Sequence, residues 1–150
     1  MNTLRRSLIL LFALLPLSTA WAADMKKEAI SHAEMASHKE PFTQARFEQL
    51  QQAGEVILID IYASWCPTCA KQQAVLETYK KANPDKTFYT LVVDYDKQKP
   101  VVSALRAPRQ STLLLYKGSQ QHWYSVAETR AEVITEQLDK TIAYDYPAKN

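Results

Sequence analysis

Cysteine and glycine are both scarce in this chain of 150 residues, which contains only two of each. Two cysteines cannot build the set of disulfides on which small secreted domains without a large core depend. With 47% hydrophobic residues, the composition is that of an ordinary globular domain, which buries a core without such cross-links. Cys66 and Cys69 are therefore free for chemistry.

A block of basic residues is also missing. The formal net charge is +2, and Arg5 and Arg6 account for this excess because residues 1–22 contain no acidic side chain. The remaining residues carry no net charge, so the electrostatic signature of a nucleic-acid-binding protein is absent from the sequence. We expect no nucleic-acid partner.

The apolar run at residues 8–17 is about half as long as the roughly 20 residues that a transmembrane helix needs. It follows Arg5 and Arg6 and precedes the small-residue pattern Ala-Trp-Ala at residues 20–22, which is the layout of a secretory signal peptide. We predict a signal peptide over residues 1–22, cleaved at its end, and a soluble periplasmic protein that meets the membrane only through this segment. An uncleaved membrane anchor is the alternative.

The rest of the chain divides into a polar lead-in segment at residues 23–41, which is mobile or helical, one domain at residues 42–145, and a tail at residues 146–150. Within the domain, hydrophobic periodicity and end signals alternate between helix and strand patterns. Helices are predicted at residues 43–52, 67–82 and 97–106 and after a capping box at Thr129 and Glu132, and strands at residues 56–62, 87–94, 112–117 and 121–126. This order predicts an α/β fold with a mixed sheet.

The two cysteines have the spacing C-x-x-C and stand at the start of a predicted helix, directly after a predicted buried strand. Unpaired backbone N–H groups and the positive end of the helix dipole stabilise a thiolate at this point, so we expect a lowered pKa for Cys66 and attack by its sulfur. Cys69, one turn further along, is placed to resolve a mixed disulfide. Pro67 suits the first helical turn, where its missing N–H costs no hydrogen bond.

Other uses of a cysteine pair are less compatible with the sequence. A zinc site needs four ligands and would have to recruit distant histidines, and a structural disulfide that closes so short a loop stabilises little. Haem attachment is excluded because Ala70 stands where that motif requires histidine. We predict a redox-active disulfide between Cys66 and Cys69 and no other cofactor.

The run Asp-Ile-Tyr-Ala-Ser-Trp-Cys-Pro-Thr-Cys at residues 60–69 resembles the active-site strand and loop of the thioredoxin family. Residues 112–118 resemble the family's third strand and the turn after it, and the likeness spans roughly residues 42–142. The resemblance implies a thioredoxin-like fold, in which helices flank a central mixed β-sheet. It also implies a thiol:disulfide oxidoreductase that acts on the thiols and disulfides of other proteins.

The resemblance also implies roles for individual residues. Asp60 corresponds to the family's buried acid, which assists proton transfer to and from the resolving cysteine; a strand residue that only makes a hydrogen bond is the alternative. Trp65, Pro67 and Thr68 correspond to the active-site loop.

The sequence departs from the family pattern at Ser111, where the family has a cis-proline that packs beside the cysteines. A cis bond before a residue other than proline costs about 2.5 to 4 kcal/mol, so we predict a trans Gln110–Ser111 bond and a reshaped loop. Arg109, Gln110 and Ser111 are predicted to contact the substrate. An arginine near Cys66 would favour the thiolate, and an arginine that is only solvated is the alternative.

The direction of electron flow depends on the residues between the cysteines. Strong oxidants of the DsbA type carry histidine there, whereas this chain has Thr68, which supplies no positive charge. Cys-Pro-Thr-Cys instead resembles the motif of reductases that serve cytochrome c maturation, although their mid-domain insertion is absent. We predict a reductant that a membrane electron donor recharges; an oxidant or isomerase is the alternative.

A second class of function is suggested by the lead-in segment. His32, Met35 and His38 are spaced by three residues, which places them side by side on a helix, and sulfur and imidazole ligands suit copper outside the cytoplasm. A copper-handling protein is therefore the alternative function, against a polar segment with chance histidines and methionine.

Overall fold

The computed structural model describes residues 39–146, which form one five-stranded mixed sheet in the order β1-β3-β2-β4-β5 with helices on both faces. The strands are β1 (Lys39–Pro41), β2 (Val56–Tyr62), β3 (Tyr89–Asp94), β4 (Thr112–Lys117) and β5 (Gln120–Val126). The helices are α1 (Gln44–Gln52), α2 (Pro67–Ala82), α3 (Lys99–Ala104) and α4 (Ala131–Ala143). The predicted α/β fold with a mixed sheet is confirmed.

Strand β2 lies at the centre of the sheet, where it pairs in parallel with β3 and antiparallel with β4. Its side chains alternate between two cores. Ile57, Ile59 and Ile61 pack among residues of α1 and α3, whereas Leu58 packs among residues of α2 and α4. Because both faces are covered, the strand reads as a nearly continuous apolar run, and the one charged residue in it, Asp60, is fully buried.

The bounds predicted for β2, α2 and β4 match the structure, β5 begins one residue earlier than predicted, and α1, β3 and α3 are shorter than predicted. Strand β3 begins at Tyr89, and α3 begins at Lys99 instead of residue 97. A turn precedes α3, in which the Asp94 carboxylate accepts hydrogen bonds from the backbone N–H groups of Asp96 and Lys97. Pro100 then occupies the first helical turn, where proline is tolerated.

The assignment of residues 39–41 to the lead-in segment is wrong. These residues form β1, an edge strand that pairs in parallel with β3, and Phe42 continues the pairing by donating from its backbone N–H to the carbonyl of Val92 at 2.8 Å. Three residues, one of them proline, are too few to show a strand pattern in the sequence.

The capping box predicted at Thr129 and Glu132 does not form. Helix α4 starts one residue later, after Arg130, which makes no side-chain capping bond. The Glu128 carboxylate instead accepts hydrogen bonds from the backbone N–H groups of Thr129 and Arg130, both at 2.9 Å.

Tyr146, which was predicted to begin the tail, packs against the domain. Both glycines of the chain, Gly54 (φ 73°) and Gly118 (φ 55°), have left-handed backbones and face its ring. A Cβ atom at Gly118 would lie 2.3 Å from the Tyr146 ring. The Tyr146 hydroxyl also accepts a hydrogen bond from the backbone N–H of Ser119 at 3.2 Å, so the ordered domain extends at least to this residue.

Candidate active site

The cysteine pair lies where the central strand β2 gives way to α2. Cys66 is the N-cap of α2 and Pro67 is its first residue. The Cys66 sulfur accepts a hydrogen bond from the backbone N–H of Cys69 at 3.4 Å, one of the N–H groups that a helix start leaves without a partner. The predicted position of the first thiol at the start of a helix is therefore present in the structure.

Several neutral donors act on the Cys66 thiol. Burial raises its pKa, but hydrogen bonds from the Ser111 hydroxyl, from Cys69 and from the backbone of Thr68 outweigh burial and lower the pKa from 9.0 to about 7. A thiol with this pKa is substantially ionised near neutral pH, and the thiolate is the form that attacks a disulfide.

The pKa of Cys69 shifts in the opposite direction, above its usual value. Its side chain is fully buried, and its sulfur lies 3.9 Å from the carbonyl oxygen of Ile61. Burial raises the pKa of Cys69, and the negative charge of a Cys66 thiolate raises it further. The two cysteines thus divide into a thiolate at the helix start, whose residue is 4% exposed, and a protonated thiol that is fully buried, as attack followed by resolution requires.

Ser111 makes the closest polar contact to both sulfurs. Its hydroxyl oxygen lies 3.1 Å from the Cys66 sulfur and 3.1 Å from the Cys69 sulfur. No cis peptide bond occurs among residues 39–146, so the Gln110–Ser111 bond is trans, as predicted. The sequence placed Ser111 beside the cysteines but gave no sign that its hydroxyl would bridge them.

The backbone of Ser111 is fixed by three hydrogen bonds. Its N–H donates to the carbonyl of Ile61 at 2.8 Å, and its carbonyl accepts from the backbone N–H of Ala127 at 2.8 Å and from the Gln72 amide at 3.2 Å. These bonds hold the residue at φ 61°, a left-handed conformation that is uncommon for serine. The loop before β4 is therefore reshaped, and its conformation is set by contacts from three other parts of the fold.

Asp60 lies on β2 with its carboxylate buried beneath α2. Burial raises its pKa from 3.8 to about 6, while the charge of Lys39 and a hydrogen bond from Gln73 act in the opposite direction. The Gln73 amide donates to carboxylate oxygen Oδ2, and Oδ1 has no partner among the described residues. An acid with this pKa exchanges its proton near neutral pH, which suits a proton-transfer role.

Gln72 and Gln73 are two site residues that the sequence analysis missed. Both are buried on the face of α2 that also carries Cys69 and Leu76, although glutamine is mostly a surface residue. Their spacing of three and four residues from these two neighbours was the available signal, because it places them on the inward face of the helix.

The other predicted site residues lie around this centre. Trp65 is 60% exposed, and its indole N–H donates to the Asp96 carboxylate at 2.8 Å. The Thr68 side chain is half-buried, as is that of Gln110. Arg109 is exposed, and the groups that lower the pKa of Cys66 are uncharged, so the arginine does not supply the stabilisation considered from the sequence.

The predicted copper ligands His32, Met35 and His38 lie outside the described residues. Within residues 39–146, no group of three or more histidine, cysteine, aspartate or glutamate side chains is arranged to hold a metal ion. None of the helices in that part of the chain is long and apolar enough to cross a membrane.

Comparison with known proteins decides the family. The sequence model described as Thioredoxin matches residues 38–142, which is more than two thirds of the chain. The chain belongs to the thioredoxin family. It is therefore a thiol:disulfide oxidoreductase, and its Trp-Cys-Pro-Thr-Cys sequence fits the family's active site.

Individual members of the thioredoxin family agree with this assignment. The chain is 31% identical to "Thioredoxin" of Alicyclobacillus acidocaldarius subsp. acidocaldarius over 78 residues, which cover 52% of this chain and 73% of that protein. It is 32% identical to "Thioredoxin H-type" of Oryza sativa subsp. indica over 87 residues, 58% of this chain and 70% of that one.

Solved structures show the same fold. The crystal structure of Trxlp from Edwardsiella tarda is 33% identical in sequence, with a TM-score of 0.63, and the match covers 67% of this chain and 98% of that chain. A mutant thioredoxin from Halobacterium salinarum has a TM-score of 0.62 over 74% of this chain and 96% of its own, and at 20% identity it supports the fold alone.

Proposed function

We propose that this thioredoxin-family protein is an exported reductant. Its dithiol reduces disulfides of protein substrates in the periplasm, and a membrane protein returns electrons to the resulting Cys66–Cys69 disulfide.

The direction of electron flow is inferred from the groups that stabilise the Cys66 thiolate, which within residues 39–146 are all uncharged. Its sulfur is held by the Ser111 hydroxyl at 3.1 Å and the Cys69 backbone N–H at 3.4 Å, both neutral donors. The pKa of about 7 lies near the value of about 7 for thioredoxin and well above the value of about 3.5 for DsbA. A strongly stabilised thiolate makes the reduced form too stable to donate electrons, and here that stabilisation is moderate.

The roles of the residues follow from this geometry. Cys66 attacks the substrate disulfide as a thiolate and forms a mixed disulfide, which Cys69 then resolves. Cys69 must first lose its proton, and Asp60, with a pKa of about 6, accepts it. Trp65 supplies an exposed aromatic surface beside Cys66, and Arg109 and Gln110 form part of the opposite side of the substrate contact.

The proposed location depends on residues 1–22, whose sequence has the charged, apolar and small-residue parts of a secretory signal. Mass spectrometry of the protein recovered from a periplasmic extract tests both export and cleavage. The expected mature form begins at Ala23. Recovery of the whole chain from the membrane fraction would support the uncleaved anchor instead.

A redox titration of the Cys66–Cys69 dithiol tests the proposed direction of electron flow. We expect a potential near thioredoxin's roughly −270 mV, and a value near −120 mV would identify an oxidant. Thr68→His, which introduces a group that can carry positive charge beside the thiolate, should raise the potential by about 30 mV or more. Thr68→Val, which adds no charge at nearly constant size, is the matched control and should leave the potential close to that of the parent protein.

The electron donor is tested by trapping the thiols in intact cells with acid and an alkylating agent. An exported reductant that is recharged should be recovered mainly with Cys66 and Cys69 reduced, although its compartment is oxidising. Recovery mainly as the disulfide would contradict the recharging step and favour the oxidant.

A further inference from the structure

The Ser111 hydroxyl lies within hydrogen-bonding distance of both reactive sulfurs, at 3.1 Å from each. The side chain is fully buried, so its hydroxyl has these two sulfurs as its partners and no exposure to bulk water. Because the two distances are equal, they do not show which sulfur accepts the hydrogen bond from the hydroxyl.

The position of this hydroxyl is set by the backbone of Ser111. The N–H and carbonyl groups of the residue are bonded to Ile61, Ala127 and Gln72, which belong to β2, the segment after β5 and α2. The backbone therefore cannot shift without breaking contacts to three elements. The remaining freedom lies in the hydroxyl proton, which rotates to suit its acceptor.

A hydroxyl has one hydrogen to donate and two lone pairs with which to accept. It can therefore donate to only one of the two sulfurs at a time while it accepts from the other. In the reduced protein Cys66 is the thiolate, so the hydroxyl donates to Cys66 and accepts from the protonated Cys69. Once Cys66 is bonded to substrate it carries no charge, and the sulfur that needs a donor is Cys69.

We propose that Ser111 is a catalytic residue whose hydroxyl donates a hydrogen bond first to the Cys66 thiolate and then, after rotation of its proton, to the Cys69 thiolate. The inference rests on the dithiol exchange of the proposed function and holds for either direction of electron flow. The redox titration and the rate measurements below can therefore fail independently.

The two steps balance without any further reactant. In the first, a bond forms between Cys66 and one substrate sulfur, the substrate disulfide breaks, and the released thiolate takes a proton from solvent. In the second, Cys69 gives its proton to Asp60, the Cys66–Cys69 bond forms and the mixed disulfide breaks, and the second substrate thiolate leaves and is protonated by solvent. Two electrons pass from the dithiol to the substrate, and Ser111 keeps its own proton throughout.

Two variants remove the hydroxyl with different effects on the backbone. Ser111→Ala keeps a Cβ atom at φ 61°, whereas Ser111→Gly removes it and adopts positive φ without strain. An effect common to both variants belongs to the hydroxyl and not to the backbone. Ser125→Ala is the control, because the Ser125 hydroxyl is also buried but has no partner among the described residues.

Stopped-flow reaction of the reduced protein with a chromogenic aryl disulfide separates the steps, since Cys66 releases the first aryl thiolate and Cys69 the second. A hydrogen bond to a charged group is strong enough that its loss should raise the apparent pKa in the first phase by about 1. The second phase should slow about threefold at neutral pH, because a tenfold smaller thiolate fraction is partly offset by higher nucleophilicity.

Both effects are expected in Ser111→Ala and in Ser111→Gly, and neither in Ser125→Ala. An unchanged pH profile of the first phase in both Ser111 variants would overturn the proposal. An unchanged rate of the second phase would overturn it too, because the hydroxyl would then donate its hydrogen bond to Cys66 alone. Urea unfolding of each variant establishes that the rates are compared between folded proteins.

Discussion

Asp60→Asn is predicted to change the stability of the protein by an amount that depends on pH. Asp60 is fully buried, and burial raises its pKa from 3.8 to about 6. The native protein therefore binds the Asp60 proton more tightly than the unfolded chain does. The stability that this tighter proton binding contributes is fully present below pH 3.8 and is lost as the pH rises through the native pKa of about 6.

The magnitude follows from the two pKa values. Each pH unit between the two pKa values corresponds to about 1.4 kcal/mol. Ionising the buried Asp60 therefore costs the native protein about 3 kcal/mol once the pH is above the native pKa of about 6. Asparagine does not titrate, and its altered contact with Gln73 has the same cost at every pH. The free energy of unfolding of Asp60→Asn minus that of the parent should therefore rise by about 3 kcal/mol between about pH 3.5 and about pH 7.5.

Urea unfolding of the reduced proteins, followed by tryptophan fluorescence across this pH range, measures the difference. Asp85→Asn is the matched control, because it removes an exposed carboxylate that loses little hydration on folding and its difference from the parent should stay nearly flat. A flat difference for Asp60→Asn as well would refute the reasoning. It would mean that the buried carboxylate is already ionised in the native protein at acid pH.

Three further results are expected. Gln73→Leu removes the donor that opposes burial, so the pKa of Asp60 should rise further and the same titration should extend to higher pH. Gly118→Ala should lower the free energy of unfolding by about 1 to 2 kcal/mol in urea, because alanine disfavours left-handed φ and its Cβ meets the Tyr146 ring. Brief alkylation of the reduced protein, followed by peptide mapping, should label Cys66 well before the second cysteine; equal labelling would contradict the assigned roles.

The parts of the fold that could be predicted are those whose signal is local. The β-branched run of β2 indicates a strand covered on both faces, and Pro67 next to a C-x-x-C pair indicates the start of a helix. Both predictions hold because the residues that form each element are adjacent in sequence. The edge strand β1 depends on pairing with β3, about fifty residues away, and a three-residue stretch of lysine, glutamate and proline carries no trace of that partner.

The same division applies to the site. A trans Gln110–Ser111 bond could be predicted because it depends only on which residue follows the bond. The contact of the Ser111 hydroxyl with the sulfurs could not be predicted, because it requires φ 61°, and hydrogen bonds to distant elements impose that value. Gln72 likewise becomes a site residue only because its amide reaches the carbonyls of Ser111 and Glu128, at 3.2 and 2.9 Å.

Ser111 lies 3.1 Å from both sulfurs, so its position alone does not account for the difference in pKa between them. The difference comes from the helix. Cys66, as the N-cap, accepts hydrogen bonds from backbone N–H groups that have no helical partner, whereas Cys69, one turn along, lies deeper and faces the charge of the first thiolate. Once Cys66 is bonded to a substrate, that charge is gone and the pKa of Cys69 must fall. Formation of the mixed disulfide therefore itself prepares the resolving thiol, and the shared hydroxyl is then free to stabilise it.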